Sequence, residues 1–590
     1  MIYSLKKLAI LLISPVSHSV FTVLWVWTLS VLAFNTYAEV LVSGVSGKAK
    51  DNVMLSLSLE KEKCDASKWK IQHTFDDSER EIDEALRALG YYHAVTKKSL
   101  VFNDACWRAS FDIDAGSRVV LSDVSIIING DAKNDTEFLS DLDKLRLKQG
   151  SSLHHGKYET MKSKIESLAL GSGYLQSEFT EKKLFINKQN NTAQIQLVFN
   201  TGKRMKIGNV VIKQNILDAD YVNKYLTIKP GDIYSSEQLA KTHNALAQSG
   251  YFDIVDIRSD LENIQQQRVP VTITLTPKKK THYALGIGYD TDVGLLLNGS
   301  YINHLINKQG HFFTANIDVS PVLSVAEMLY TIPLANPTTD FLTFGTGLKR
   351  EDNDSFKSLS AALSVRHKHA YDSGWKQTVF LDYTYEDFTI GPTNGQTLLL
   401  VPGANWLRSV SNNPLRPSNG YRLEAEVKGS VKLPPVSDAS FLQGYFSGIW
   451  LHDLPLKGKF IGRTLLGATL VDNITDLSTS YRFYAGGLNS VRGYAYKELG
   501  PKDKFGYVEG GKFLTVVSAE YEQAIYDNWA VAAFVDTGNA FNADSIQLKT
   551  GVGLGVRWYS PVGPVRVDFA IPLNESDSSF QIHFATGARL

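Results

Sequence analysis

The sequence is poor in cysteine and carries no excess charge of either sign. It has two cysteines in 590 residues, Cys64 and Cys106, and its 61 basic residues balance 61 acidic ones. The zero net charge argues against nucleic acid as a partner. Two thiols without a neighbouring histidine cluster cannot complete a tetrahedral metal shell. If the chain is exported, they predict a disulfide rather than a metal site.

Long apolar runs are absent after residue 38. Lys6 and Lys7 precede a charge-free stretch that ends at Ala38, and Thr36-Tyr37-Ala38 is typical of a cleavage site. We therefore interpret residues 1–38 as a secretory signal peptide. An uncleaved anchor is the alternative, although the apolar run at 20–34 is shorter than the ~20 residues that a spanning helix needs. Any further membrane insertion must use strands.

A glycine followed by an aromatic residue recurs about every 80 residues, each time after a helical pattern. The three steps are Leu89-Gly90-Tyr91-Tyr92, Ser172-Gly173-Tyr174 and Ser249-Gly250-Tyr251-Phe252. A single such step would merely end a helix, but three at near-constant spacing predict three tandem α+β domains. We place these domains at residues 39–116, 117–202 and 203–278.

From about residue 281 apolar residues alternate with polar ones. In 421–428 every second residue is charged, and Val565 and Val567 alternate with Arg566 and Asp568. Such a strand has one apolar and one polar face. A soluble β-sandwich also alternates, but it needs a layer over its apolar face. With the signal segment, the pattern favours an all-β transmembrane antiparallel barrel over residues 279–590, of about 16 strands.

Several segments resemble signature sequences of the BamA/TamA outer-membrane assembly superfamily, and the repeats resemble POTRA (polypeptide-transport-associated) domains. The segments are Phe483-Tyr484-Ala485-Gly486-Gly487, Ser490-Val491-Arg492-Gly493-Tyr494, Phe534-Val535-Asp536-Thr537-Gly538-Asn539, Arg557-Trp558-Tyr559-Ser560-Pro561-Val562-Gly563-Pro564 and Asn413-Pro414-Leu415-Arg416-Pro417. The resemblance covers nearly the whole chain after residue 38. It implies a barrel in the outer membrane of a Gram-negative bacterium, with POTRA domains in the periplasm.

In that superfamily the Val-Arg-Gly-aromatic segment is the tip of the sixth extracellular loop, folded back into the barrel lumen. The resemblance assigns a loop-six latch and its acidic partners to Val491, Arg492, Gly493, Tyr494, Glu520 and Asp536. Parity supports both acids, because each alternates with apolar residues along its strand. A guanidinium in a narrow lumen needs matching carboxylates. The alternative is a solvated Arg492 at a loop tip.

The seam that closes the barrel is a second candidate site. Its residues are Tyr283, Leu285, Gly286, Ile287 and Gly288 on the first strand and Phe580, Ile582 and Phe584 on the last. Glycine weakens a strand, so this pairing would open easily. The superfamily is thought to use such a seam as a lateral gate that pairs with client strands. The alternative is that small residues only relieve crowding in the lumen.

The end of the chain departs from the pattern of outer-membrane barrels. These barrels commonly end in an aromatic residue, whereas this sequence ends in Leu590, three residues after Gly587. Phe584 is an alternative recognition signal for barrel assembly.

Signals for catalysis are weak. Gly551-Val552-Gly553-Leu554-Gly555 has alternating glycines, but it lies in a β pattern and opens no helix, which disfavours nucleotide binding. His154-His155 has no acidic or thiol cluster beside it, so a polar loop suits it better than a metal site. We expect neither an enzymatic reaction nor a cofactor or metal.

Three repeats favour the TamA-like branch, the outer-membrane part of the translocation and assembly module, because BamA has five POTRA domains and two-partner secretion transporters have two. The resemblance implies a TamB-like partner anchored in the inner membrane, unfolded outer-membrane protein clients including autotransporters, contact with outer-membrane lipids and a link to lipid transport. A two-partner-type pore that exports a soluble protein is the main alternative. An outer-membrane enzyme or passive channel would not need three soluble repeats.

Overall fold

The computed structural model describes residues 38–103, 106–414, 416–543, 546–561, 563–574 and 580–586. These residues fall into two compact units, one within Met1–Leu168 and Ser177–Thr201 and the other within Ala169–Gln176 and Gly202–Leu590. Residues 1–37 of the predicted signal peptide, together with Gly587 and Leu590, lie outside the described residues.

Three repeats, each in the order strand, helix, helix, strand, strand, precede the barrel. The first contains β1 (Glu39–Ser43), α1 (Gly47–Ser56), α2 (Lys68–Ala88), β2 (Val95–Phe102) and β3 (Trp107–Asp114). The second contains β4 (Val120–Asn129), α3 (Thr136–Leu145), α4 (His155–Gly171), β5 (Glu178–Asn187) and β6 (Thr192–Asn200). The third contains β7 (Lys206–Lys213), α5 (Ala219–Asn223), α6 (Ser236–Gln248), β8 (Phe252–Ser259) and β9 (Arg268–Pro277). In each sheet the last strand lies in the middle, parallel to the first strand and antiparallel to the second. The prediction of three α+β repeats is confirmed.

The recurring glycine ends the second helix of each repeat. Gly90, Gly173 and Gly250 have φ angles of +94°, +91° and +84°, a left-handed conformation that glycine adopts without strain. In the first repeat the amide of the following Tyr91 donates to the carbonyl of Leu86 at 3.0 Å. The 80-residue period therefore marks the points where the chain leaves a helix and returns to the sheet. No helix in the described part of the chain is long and apolar enough to cross a membrane.

The core of the first repeat is apolar. Ile82 and Leu86 of α2 and Phe111 of β3 have no exposed surface, and the two helical residues share one face because they are four positions apart. Cys64 and Cys106 form a disulfide that joins the segment before α2 to the start of β3. His155 begins α4 and is half-buried rather than lying in a polar loop.

Sixteen antiparallel strands form the barrel in chain order, which confirms the fold class and the strand number expected from the sequence. They are β10 (Thr281–Asp290), β11 (Gly294–Asn303), β12 (Phe312–Val319), β13 (Leu323–Pro333), β14 (Asp340–Asp352), β15 (Lys357–Ala370), β16 (Lys376–Ile390), β17 (Thr393–Ser411), β18 (Gly420–Ser430), β19 (Phe441–Leu454), β20 (Gly458–Leu470), β21 (Phe513–Tyr526), β22 (Trp529–Phe541), β23 (Lys549–Ser560), β24 (Gly563–Pro572) and β25 (Gln581–Thr586).

The barrel wall encloses charged side chains and exposes apolar ones. Glu520, Asp536 and Arg557 are at most 3% exposed, whereas Leu285 and Leu363 are 92% and 59% exposed. Successive residues of a strand point to opposite faces, so the alternation seen in the sequence separates the two sets. The outer face suits lipid and the inner face suits a polar lumen.

The third repeat holds the turn between β11 and β12, at residues 304–311. Leu305 of this turn is buried in the apolar core of the repeat, and the Tyr251 hydroxyl donates to the Gly310 carbonyl at 2.5 Å. Tyr221 Oη lies 3.0 Å from the hydroxyl oxygens of both Tyr251 and Tyr225. Burial raises the pKa of all three tyrosines, so their hydroxyls stay protonated at neutral pH.

Candidate functional site: loop six and the barrel seam

Loop six joins β20 to β21 through residues 471–512, and its tip lies inside the barrel. Leu488, Val491 and Tyr494 are at most 1% exposed. The tip is a compact turn in which the Gly487 amide donates to the Tyr494 carbonyl at 3.0 Å, and the Ser490 amide donates to the Gly487 carbonyl at 3.1 Å. The structure thus places the predicted latch residues in the lumen rather than on a solvated loop.

Arg492 is enclosed by carboxylates from three strands. Its Nε and Nη2 donate to the two oxygens of Asp536 on β22, at 2.7 and 3.0 Å, and its Nη1 donates to Glu520 on β21 at 2.8 Å. The same Nη1 donates to Asp568 on β24 at 3.0 Å. The guanidinium also covers the Phe534 ring at 3.4 Å from the ring centroid. This two-pronged geometry is specific to arginine, because the ammonium of lysine has no planar fork.

Neighbouring side chains complete a balanced charge cluster. Arg557 Nη2 donates to Glu520 at 2.8 Å, and Lys459 lies 2.6 Å from Glu522. Among the described residues, these ion pairs join four cations to four carboxylates, namely Lys459, Arg463, Arg492 and Arg557 with Glu520, Glu522, Asp536 and Asp568. Burying a charge in a poorly hydrated site is costly unless an opposite charge pairs with it. The pairing of cations with carboxylates therefore allows loop six to occupy the lumen.

Glycines of β23 form the floor on which the latch rests. A Cβ added at Gly551 would collide with the Arg492 carbonyl oxygen, and one at Gly555 would collide with the Asp568 carboxylate. Gly551 therefore makes room for the latch backbone and Gly555 for one of the carboxylates that bind Arg492, while Gly553 makes room for the Phe534 ring beneath the guanidinium. The alternation of these glycines in the sequence did not by itself indicate this role.

A second anchor holds loop six on the wall formed by β14. Lys497 Nζ lies 2.6 Å from Glu351, whose side chain is 1% exposed, and Lys349 pairs with the other oxygen of Glu351 at 2.9 Å. Lys497 Nζ also lies 4.9 Å from the centroid of the Phe356 ring. The loop therefore crosses the lumen between two walls. Nothing in the sequence motif pointed to this second anchor.

The seam lies between β10 and β25, the two ends of the strand order. In the described part of it, the Thr291 amide donates to the Phe584 carbonyl, and the Phe584 amide donates to Thr291 Oγ1, both at 3.2 Å. The rings of Tyr289 and Phe584 lie 5.8 Å apart. On the other side of β10, ten residue pairs join it to β11.

The predicted seam residues lie on both edges, with one correction. Phe580 was assigned to the last strand, but β25 begins at Gln581, so Phe580 precedes the strand. The apolar residues of β10 point outward, with Tyr283 70%, Leu285 92% and Ile287 75% exposed.

The two glycines of β10 serve different ends. A Cβ at Gly286 would collide with the Asn298 side chain of β11. At this position the glycine therefore relieves crowding, as the alternative to a weak seam proposes. A Cβ at Gly288 would lie 3.9 Å from Thr586 Oγ1 of β25. Gly286 thus fits its partner strand, whereas Gly288 faces the seam.

The turn at residues 291–293 brings a carboxylate to the latch. Asp292 accepts the Leu488 amide of loop six at 2.9 Å. Burial, reinforced by neighbouring Asp290, raises the pKa of the Asp292 carboxyl to about 7. A lone aspartate in a two-strand turn carries no sequence signal for such a role.

Family models match three parts of the chain. Residues 307–590 match the Omp85 superfamily domain. Residues 39–115 match the POTRA domain described as TamA domain 1, and residues 205–278 match a POTRA model described as surface antigen variable number repeat.

Curated relatives are outer membrane protein assembly factors named BamA. The protein of Nitratidesulfovibrio vulgaris (strain Hildenborough) is 26% identical over 408 residues, which cover 65% of this chain and 50% of the relative. That of Neisseria meningitidis serogroup B (strain MC58) is 22% identical over 501 residues, which cover 73% and 62%. The chain thus spans about half to two thirds of the length of these relatives.

A solved structure shares the fold. The crystal structure of BamA from Haemophilus ducreyi lacking POTRA domains 1–3 matches with a TM-score of 0.65 at 17% identity, covering 79% of this chain and 99% of that one. The shared fold agrees with the family models for the barrel and the repeats. Residues 307–590 thus form an Omp85 superfamily domain, and the protein is an outer-membrane β-barrel whose POTRA domains lie in the periplasm.

Proposed function

We propose that the protein is a TamA-like insertase that assembles autotransporters and other β-barrel proteins in the outer membrane. The seam is the observation that carries this proposal. β10 and β25 are the ends of one sheet, and Thr291 and Phe584 join them in the described part of the seam. A strand edge that opens toward lipid can pair with the backbone of an unfolded client strand.

The work would need no cofactor and no catalysed reaction. A client strand that pairs with β10 satisfies its own backbone polar groups, which are costly to leave unpaired in a bilayer. The outward-facing Leu285 and Ile287 would meet the same lipid layer that the client enters. Formation of strand pairs and burial of apolar client surface in lipid would then drive insertion.

The first repeat is the proposed contact for an inner-membrane-anchored, TamB-like partner. The match of residues 39–115 to the TamA-type first POTRA domain supports this part of the proposal. The repeat also exposes large apolar side chains, with Leu55 80%, Trp69 77% and Val95 60% exposed. Contact with outer-membrane lipids, and a link to lipid transport through the same partner, belong to this proposal as well.

A reversible seam lock tests the insertase function. The variant Gly288→Cys/Thr586→Cys places two thiols at the seam, where a Cβ at position 288 has room beside Thr586. We expect the oxidised variant to lose insertion of an autotransporter barrel in proteoliposomes, and to regain it after reduction. Each single-cysteine variant, given the same oxidant and reductant, is the matched control. Full insertion by the locked variant would contradict the proposal.

Crosslinking in intact cells tests the partner. A photoreactive residue at Trp69 or Leu55 should capture an inner-membrane-anchored protein. The same probe at Phe185 of the second repeat, which is 51% exposed, is the matched control. Capture of one dedicated secreted protein, with no anchored partner, would instead favour a two-partner-type export pore.

A further inference from the structure

The loop-six tip touches the first edge of the seam through one carboxylate. Both oxygens of Asp292, in the turn after β10, accept the Leu488 amide, at 2.9 and 3.2 Å. The Asp292 side chain is 11% exposed. Gly487 makes the approach feasible, because a Cβ there would lie 2.7 Å from an Asp292 oxygen. The contact therefore depends on both the carboxylate and the glycine.

The same tip touches the last strand through a histidine. His583 of β25 is 2% exposed, and its Nε2 lies 3.0 Å from the amide nitrogen of Gly493. An amide can only donate, so Nε2 must be the acceptor, and the proton of the neutral ring lies on Nδ1. Nδ1 has no hydrogen-bond partner among the described residues, and it lies 4.0 Å from Asp292 Oδ1 across the seam.

We propose that Asp292 and His583 are positioning residues that form a clasp across the lateral gate. Each edge of the seam holds one backbone amide of the same loop turn, Leu488 on one side and Gly493 on the other. The loop-six tip therefore bridges the two strands that must separate. A shift of about 1 Å would also bring His583 Nδ1 within hydrogen-bond distance of Asp292.

The two halves of the clasp differ in strength, which gives the opening a direction. On the side of β25, Arg492 adds its bonds to Asp536, Glu520 and Asp568. On β10 and its turn, the described contact of the tip is the carboxylate of Asp292, whereas the Lys497–Glu351 anchor of loop six lies four strands farther along, on β14. The clasp therefore releases at Asp292, and the loop-six tip stays with the last strands while the β10 edge moves away.

Spin labels across the seam measure the clasp directly. The chain's two cysteines pair with each other, so nitroxides attached to Leu285→Cys and Ile582→Cys report the separation of β10 and β25. In lipid nanodiscs at pH 8, above the pKa of Asp292, we expect Asp292→Ala to raise the ratio of open to closed seam on the order of tenfold, as loss of a charged hydrogen bond predicts. Asp292→Asn keeps an acceptor oxygen and should give a smaller rise. An unchanged ratio in Asp292→Ala would overturn the clasp.

Matched variants separate the clasp from a general loss of structure. Asp318→Asn removes a carboxylate from β12 that shares no hydrogen bond or ion pair with loop six among the described residues, and its ratio should stay at the wild-type value. His583→Leu should open the seam, whereas His583→Gln should restore closure, because its amide oxygen can accept the Gly493 amide. Equal opening in the Gln and Leu variants, or an opened seam in Asp318→Asn, would overturn the clasp. Barrel folding is checked for every variant by unheated gel electrophoresis.

A third label tests the direction of release. Asn489→Cys, at an exposed position of the tip, is paired with Ile582→Cys or with Leu285→Cys. In the Asp292→Ala background the first distance should stay constant and the second should lengthen. A tip that follows β10 instead would overturn the direction. The clasp rests on the proposed gate, but these measurements use no client. A normal clasp with failed client insertion would therefore refute the insertase function alone.

Discussion

The first repeat and the barrel bury opposite kinds of side chain. In the repeat, Leu86 and Phe111 have no exposed surface, whereas Arg80 and Glu84 of α2 are about 60% exposed. In the barrel, Arg492 is 2% exposed and apolar residues such as Leu363 face outward. Sequence periodicity tells which residues share a face, but the medium on each side decides which face is enclosed. The first repeat is therefore stabilised by buried apolar side chains, whereas the barrel interior is stabilised by buried, paired charges. Substitutions can test each kind of core separately.

Loss of the buried arginine should have the largest effect. Arg492→Ala leaves Lys459, Arg463 and Arg557 facing four buried carboxylates, and an uncompensated buried charge costs about 3–5 kcal/mol. Arg492→Lys keeps the charge but loses the two-pronged contact with Asp536, so it should lie between wild type and Ala. Urea titration in detergent and the folded fraction on unheated gels measure both variants. Normal folding and activity in both would contradict the latch.

Truncation of a buried side chain tests the apolar core of the first repeat. Phe111→Ala removes a fully buried ring from the first repeat and should cost about 3–4 kcal/mol. Hydrogen–deuterium exchange of β3 in the full-length protein measures the loss, because local opening speeds exchange of the strand amides. Val101→Ala, at a 53% exposed position of β2, is the control and should change little. Equal exchange in the two variants would argue against a repeat stabilised by its apolar core.

A matched pair of surface charges compares the two regions directly. Leu363→Arg places a charge at the middle of β15 on the outward face and should destabilise the barrel by about 2–4 kcal/mol in lipid. Leu55→Arg, at an 80% exposed position of α1, should alter stability by less than about 0.5 kcal/mol. Denaturant titration in lipid vesicles compares the two variants. A harmless Leu363→Arg would mean that this face does not meet lipid.

The smallest effect is expected at the contact between the third repeat and the barrel turn at residues 304–311. Tyr251→Phe removes the hydroxyl that donates to Gly310 and should cost about 1 kcal/mol, the usual value for a hydrogen bond between neutral groups. Faster hydrogen exchange in residues 304–311 would report it. Tyr526→Phe, at a 75% exposed position, is the control and should leave that exchange unchanged. Equal exchange in the two variants would show that the Tyr251 hydroxyl does not stabilise the contact between the third repeat and this turn.

Much of the fold could be read from periodicity. Alternation of apolar and polar residues involves only neighbours in sequence, so it predicted the barrel and placed residues such as Arg566 and Asp568 on the polar face. Parity alone cannot tell which polar residues meet, because strand register and the path of a 42-residue loop are set by tertiary contacts. The motif supplied Arg492 with two of its three carboxylates. Asp568 was missed because it belongs to a strand two places farther on.

The remaining site residues had no local signal at all. Asp292 and His583 are isolated residues whose roles arise only when the first and last strands of the barrel come together, nearly 300 positions apart in sequence. The Lys497–Glu351 contact likewise joins a loop to a strand 146 positions earlier. Such pairs follow from closure of the barrel, which single-sequence patterns do not encode.

The contact between the third repeat and the turn at residues 304–311 limits how the repeat can move. Leu305 and Gly310 lie between β11 and β12, and both are held by the third repeat. β10 continues from that repeat after only three residues. Rotation of the repeat must therefore either break the Tyr251–Gly310 bond or carry the hairpin of β10 and β11 with it. Movement of the third repeat in the periplasm is thus transmitted through the β10–β11 hairpin, whose turn contains Asp292, to the edge of the seam.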